Sequence, residues 1–166
     1  MGGSIVSRRT STGLLVLMVF GLVLAMTGTA MAATSWKKVT PSAKFVKYAA
    51  HAKKHGMQAW YPSRLPSGYK LSSMKLGDTG SSGPYCDIVF KKSSKRIYVS
   101  QGTIVGADGE MPEPSGQLAW GTQRADVFSS GLIFWMGANN GFANLWGKGT
   151  TAAQRQTVAK YMKKVR

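Results

Sequence analysis

Apolar positions along this chain change their spacing twice, after an opening run that has no period at all. Gly13 to Met26 is a charge-free apolar stretch. Past it, Phe45, Ala49 and Ala52 recur at helical spacing. Thr40-Pro41 precedes them, an N-cap residue followed by Pro at the first helical position, and Gly56 follows as a C′ stop. This predicts a helix over Pro41–His55, capped by Thr40. Pro62, Pro66 and Gly68 then make Tyr61–Gly68 an extended connector.

Beyond Gly68 the period becomes two. Tyr69–Leu76, Tyr85–Phe90 and Arg96–Gln101 alternate as strands, and the last two are joined by Lys91-Lys92-Ser93-Ser94-Lys95 into a hairpin with a cationic tip. Gly77 to Gly83 reads as a turn. Asp108 to Pro114 reads as a loop, because Pro112 and Pro114 lack ladder donors. Gln123–Phe128 alternates again. Leu132–Met136 is continuously apolar, which predicts a central strand covered on both faces. Asn140-Gly141 is a hairpin signal leading into Phe142–Trp146, which Gly147 and Gly149 break. Thr151 with Gln154 forms a capping box, opening a last helix whose apolar stripe is Val158, Tyr161, Met162 and Val165. The expected class is α+β: an antiparallel sheet of five or six strands packed on a C-terminal helix, with an additional N-terminal helix.

The opening run changes what counts as the working protein. Arg8-Arg9 precedes it, and Ala30-Met31-Ala32 closes it with the small-x-small pattern that signal peptidase accepts. Residues 1–32 are therefore expected to be a signal peptide, with cleavage near Ala32 and a secreted or envelope-associated product. Ser7-Arg8-Arg9-Thr10 starts like a twin-arginine signal, but Ser11 and Thr12 stand where apolar residues belong, which favours general export. The expected organisation is a leader at 1–32, a basic helical region at 33–60 and an α+β domain at 61–166. No membrane span is expected after cleavage.

Charge sets the expected partners. The chain carries 22 Lys and Arg against 6 Asp and Glu. A leader with two Arg and no acid leaves a net charge of +14 on the mature chain. Such an excess favours an anionic envelope polymer or lipid headgroups, with nucleic acid a less favoured partner. The candidate binding residues are Lys44, Lys47 and Lys54 on the first helix, Lys91, Lys92, Lys95 and Arg96 at the hairpin tip, and Lys160, Lys163 and Lys164 near the C-terminus. Trp120, between Ala119 and Gly121, is the candidate for an exposed stacking platform, whereas Trp135 and Trp146 lie in strands and are expected in the core.

No catalytic constellation can be assembled. Both histidines, His51 and His55, sit on the basic helix, and no Gly-x-Ser-x-Gly elbow occurs. Their i, i+4 spacing matches half of a metal site, but Ala52, Lys53 and Lys54 between them supply no acid, so no metal and no cofactor is expected. Cys86 is the one cysteine and alternates with Ile88 and Phe90, which predicts a buried thiol.

Several short motifs occur together: Leu65-Pro66-Ser67-Gly68-Tyr69, then Ile97-Tyr98-Val99-Ser100-Gln101, then Leu132-Ile133-Phe134-Trp135, and a helix containing Val158-Ala159-Lys160. This order, over about residues 61–165, resembles the DUF4367 type of exported domain. The resemblance implies a curved half-barrel sheet with helices in its concavity, similar to periplasmic lipoprotein-carrier and sigma-regulator proteins, and carries no catalytic residue with it. Three functions are expected from these features: a non-enzymatic envelope protein held by anionic polymer, a carrier or sensor of a lipid-like ligand under the curved sheet, or an envelope-polymer hydrolase. The first agrees best with the charge and with the missing catalytic groups.

Overall fold

A computed structural model describes residues 34–78, 83–103 and 111–165. The expected leader and the expected cleavage site near Ala32 lie outside these, as do Asp108, Glu110 and most of the turn after Asp78. The described elements run β1 (Trp36–Lys38), α1 (Ala43–Lys54), β2 (Ala59–Pro62), β3 (Arg64–Pro66), β4 (Lys70–Asp78), β5 (Pro84–Lys92) and β6 (Lys95–Thr103). They continue with β7 (Gly116–Trp120), β8 (Gln123–Val127), β9 (Ile133–Met136), β10 (Gly141–Lys148), α2 (Ala152–Lys160) and β11 (Met162–Val165).

The class is α+β, with one antiparallel sheet of seven strands in the order β4-β5-β6-β10-β9-β8-β7. That is one strand more than the expected maximum. The extra strand is β7, in a stretch for which no element is expected: Gly121-Thr122 makes a two-residue turn, with Trp120 paired to Gln123 and Gly121 at φ +54°. Two small ladders flank the sheet, β1 with β3 and β11 with β2. The connector at 61–68 is thus two short strands.

Both helices lie on one face of the large sheet. Alternate residues of β5, β6, β9 and β10 point into a common core with Phe45, Tyr48, Ala49 and Ala52 of α1 and Val158 and Ala159 of α2. Residues 34–60 therefore share their core with the rest of the chain, and the residues from Thr34 onward form one compact unit. Trp135 is the largest fully buried side chain; Trp60 and Trp120 both meet it edge-on, with centroids 6.0 and 5.5 Å away. Gln101 is the one buried polar residue among the described ones. Its amide accepts from the Trp60 N–H at 2.7 Å and donates to the Trp60 carbonyl at 3.0 Å, acting as a substitute strand for β2.

Two expected boundaries move, and one strand is covered differently from expectation. The N-cap of α1 is Ser42, whose hydroxyl accepts from the Phe45 N–H at 3.2 Å, so Thr40 and Pro41 precede the helix. Its C-terminus is as expected: Gly56, at φ +72°, donates to the Lys53 carbonyl while Met57 donates to that of Ala52, a Schellman closure. The Thr151–Gln154 capping box of α2 is present in both directions, at 3.2 and 3.1 Å. α2 nevertheless stops at Lys160, since Met162–Val165 pairs antiparallel with Ala59–Pro62. Val158, Tyr161, Met162 and Val165 thus do not form one helical stripe. Met162 faces the core from a strand, and alternation with exposed Lys163 and Lys164 fits a period of two equally well. β9 lies inside the strand order, but only Ile133 and Trp135 are buried; Met136 is 45% exposed, so the strand is covered on one face rather than two.

Candidate functional site

Among the described residues the second face of the large sheet carries no helix, and it collects chemistry that the helical face lacks. Residues directly opposite each other on paired strands point to the same side. Lys70 of β4 pairs with Lys91 of β5, Lys91 with Arg96 of β6, and Arg96 with Lys148 of β10. One cross-strand row therefore holds four cations on four neighbouring strands, spanning about 14 Å at ~4.8 Å per strand. Lys70, Lys91 and Lys148 are exposed. Arg96 is half-buried, its guanidinium bonding the Ser93 and Lys95 carbonyls at 3.0 and 3.2 Å. Among the described residues none of the four has an ion-pair partner; the pair that does occur there joins His51 to Asp78. Like charges placed directly opposite oppose sheet formation.

The adjoining row on this face is aromatic. Tyr98 and Trp146 stack with centroids 3.8 Å apart and planes 6° from parallel, and Val89 continues the row on β5. Farther along, Phe134 and Phe142 stack at 6.0 Å. Trp146 is 42% exposed. The expectation that Trp146 packs in the core is corrected here: Ala143 and Leu145 point inward, so a residue one position on must point outward. Trp120 is half-buried at the end of edge strand β7, its ring edge-on to Trp135.

The hairpin tip forms as expected and tightens the positive cluster. Lys92 pairs with Lys95 around a two-residue turn, with Ser93 at φ +52°. Lys92 Nζ donates to the Ser67 carbonyl at 2.8 Å, which brings the 67–70 segment beside the tip. A surface depression of about 320 Å³ there is lined by Gly68, Lys70, Lys91 and Lys92. The other candidate cations lie elsewhere. Lys44, Lys47 and Lys54 belong to α1 on the opposite face, with Lys44 Nζ bonded to the Met74 carbonyl at 3.1 Å. Lys160 ends α2, while Lys163 and Lys164 lie on β11, with Lys164 over the Trp60 ring at 5.3 Å. Of the ten candidate cations, Lys91 and Arg96 thus belong to the row and Lys92 and Lys95 to the adjoining tip, while the other six lie elsewhere. Sequence alone does not single out Lys70 and Lys148, because strand register is needed to align them with Lys91 and Arg96.

Cys86 is fully buried. Burial, with the Asp87 carboxylate adding to it and Lys44 opposing, pushes its thiol up to about 12, so it stays protonated and unreactive. Aromatic side chains pack between helices and sheet, Tyr61 meeting both Phe45 and Phe90. Among the described residues no helix is long and apolar enough to cross a membrane.

No family model matches the chain, and no curated protein matches it. Among solved structures, the crystal structure of MucB in complex with MucA(peri) contains a similar chain, with a TM-score of 0.40 and 14% identity. The likeness covers 64% of this chain and 37% of that one, so this chain spans little more than a third of that protein's length.

Proposed function

We propose that the protein is a non-enzymatic binding module of the cell envelope, and that it holds an anionic polymer on the open face of its large sheet. The row Lys70, Lys91, Arg96, Lys148 carries the reading. Four like charges in register cost stability unless an anion relieves them, and a repeating polyanion offers charges at comparable spacing. Tyr98 and Trp146 in the next row give a partner's apolar or ring surfaces something to pack on. Individual exposed contacts are weak and salt-screened, so affinity comes from several acting together.

The test separates this row from net charge. Protein is applied to immobilised dextran sulfate and to isolated anionic envelope polymer, then eluted with salt. A Lys70→Gln/Lys91→Gln/Lys148→Gln variant is expected to elute well before the parent. It should also elute before a Lys37→Gln/Lys38→Gln/Lys53→Gln variant of the same net charge, altered at exposed lysines away from the row. Equal elution of the two variants would reduce the interaction to net charge and reject the site.

A further inference from the structure

A second site lies on the helical side of the molecule, and it is independent of the polymer reading. α1 carries His51 and His55 on one side, because residues four apart on a helix lie one above the other. Their rings meet edge-on with centroids 4.8 Å apart. β4 ends against that side at Asp78, whose Oδ2 is 2.9 Å from His51 Nε2. One ligand atom from each of the three residues lies within 4.8 Å of the other two, and all three residues are exposed.

The sequence offers only the histidine pair, with lysines where an acid would be useful. Folding adds the missing carboxylate from an element 27 positions along the chain. Two imidazole nitrogens and one carboxylate oxygen are the donors of an open, three-ligand zinc site, with the fourth position left to water. They are a poor set for Ca²⁺ or Mg²⁺, which take oxygen ligands. Zn–N and Zn–O distances near 2.1 Å put tetrahedral donors about 3.4 Å apart. His51 and Asp78 are already closer than that, and the exposed His55 places a ring nitrogen within 4.8 Å of both. Lys47, which lines the same shallow depression, and Lys54 on α1 oppose a cation there, while the Asp78 carboxylate offsets them within bonding distance.

We propose that His51, His55 and Asp78 bind a divalent transition-metal ion of the zinc type, which ties α1 to the end of edge strand β4. The ion takes the place of the hydrogen bond that now joins His51 Nε2 to Asp78 Oδ2. Binding to the folded chain alone raises its stability in proportion to the logarithm of free ion.

The test is calorimetric titration of the purified protein with Zn²⁺, with thermal melting in parallel. One saturable site and a melting temperature that rises with Zn²⁺ are expected. His51→Ala/His55→Ala should abolish both effects while melting like the metal-free parent, since the two side chains are exposed. Asp78→Asn should weaken binding by at least about tenfold, the loss that even an outer-shell partner causes. Absence of saturable Zn²⁺ binding overturns the proposal, as does binding that survives the double histidine change. Undiminished binding in Asp78→Asn overturns the three-ligand assignment.

Discussion

The two faces of the large sheet are built from alternate residues of the same strands, and they differ in almost every respect. One face meets α1 and α2 through Ile88, Val99, Trp135 and Leu145, all within 1% of complete burial. The other presents Tyr98, Trp146 and a row of cations to solvent. The covered face obeys one requirement, closing apolar surface against helices. The open face breaks a rule of sheet design by aligning like charges, and packing does not demand it. A departure of that kind, on a scaffold whose other face is conventional, is where function is to be sought.

Substitutions on the two faces should therefore behave oppositely. The largest effect is expected from Val158→Asp in α2, which puts an unpaired carboxylate into the core and should cost about 3–5 kcal/mol. A denaturation midpoint within error of the parent would remove α2 from the core. Next comes Gln101→Leu. It leaves the Trp60 N–H and carbonyl buried without partners, for a loss of about 2–3 kcal/mol with the sheet otherwise intact. A neutral result would mean that β2 finds other partners. Smallest is Lys91→Gln, which relieves repulsion from Lys70 and Arg96 and should leave stability unchanged or raise it by up to about 0.5 kcal/mol. Destabilisation beyond that would make the cationic row a structural element, and the contrast between the faces would fail.

Much of the covered face was legible from sequence because burial writes itself as periodicity. Cys86, Ile88 and Phe90 alternate, Phe45, Ala49 and Ala52 recur every three to four residues, and the Thr151 capping box is a local signal with a local cause. Three things stayed hidden for one reason, that they depend on partners distant in the chain. The segment 162–165 fits a helical stripe as well as a strand until Ala59–Pro62 is known to lie beside it. Lys70 and Lys148 are ordinary surface lysines until register sets them in line with Lys91 and Arg96. Asp78 likewise meets His51 only through the packing of β4 under α1. Side-chain type is a property of sequence, but juxtaposition across strands is a property of topology.

The pairing of β11 with β2 also has a kinetic consequence. Ser63, just after β2, bonds to the Tyr161 carbonyl, 98 positions away, so this contact closes most of the described chain on itself. Loop-closure entropy grows with separation, and domains rich in such distant pairings fold slowly. The β5–β6 and β9–β10 hairpins, joined by short turns, are the parts expected to form early. The ladder between β2 and β11 comes late, and until it does β2 exposes Ala59 to Pro62 as an unpaired edge. A nascent or partly unfolded chain is thus most prone to mispairing at that strand.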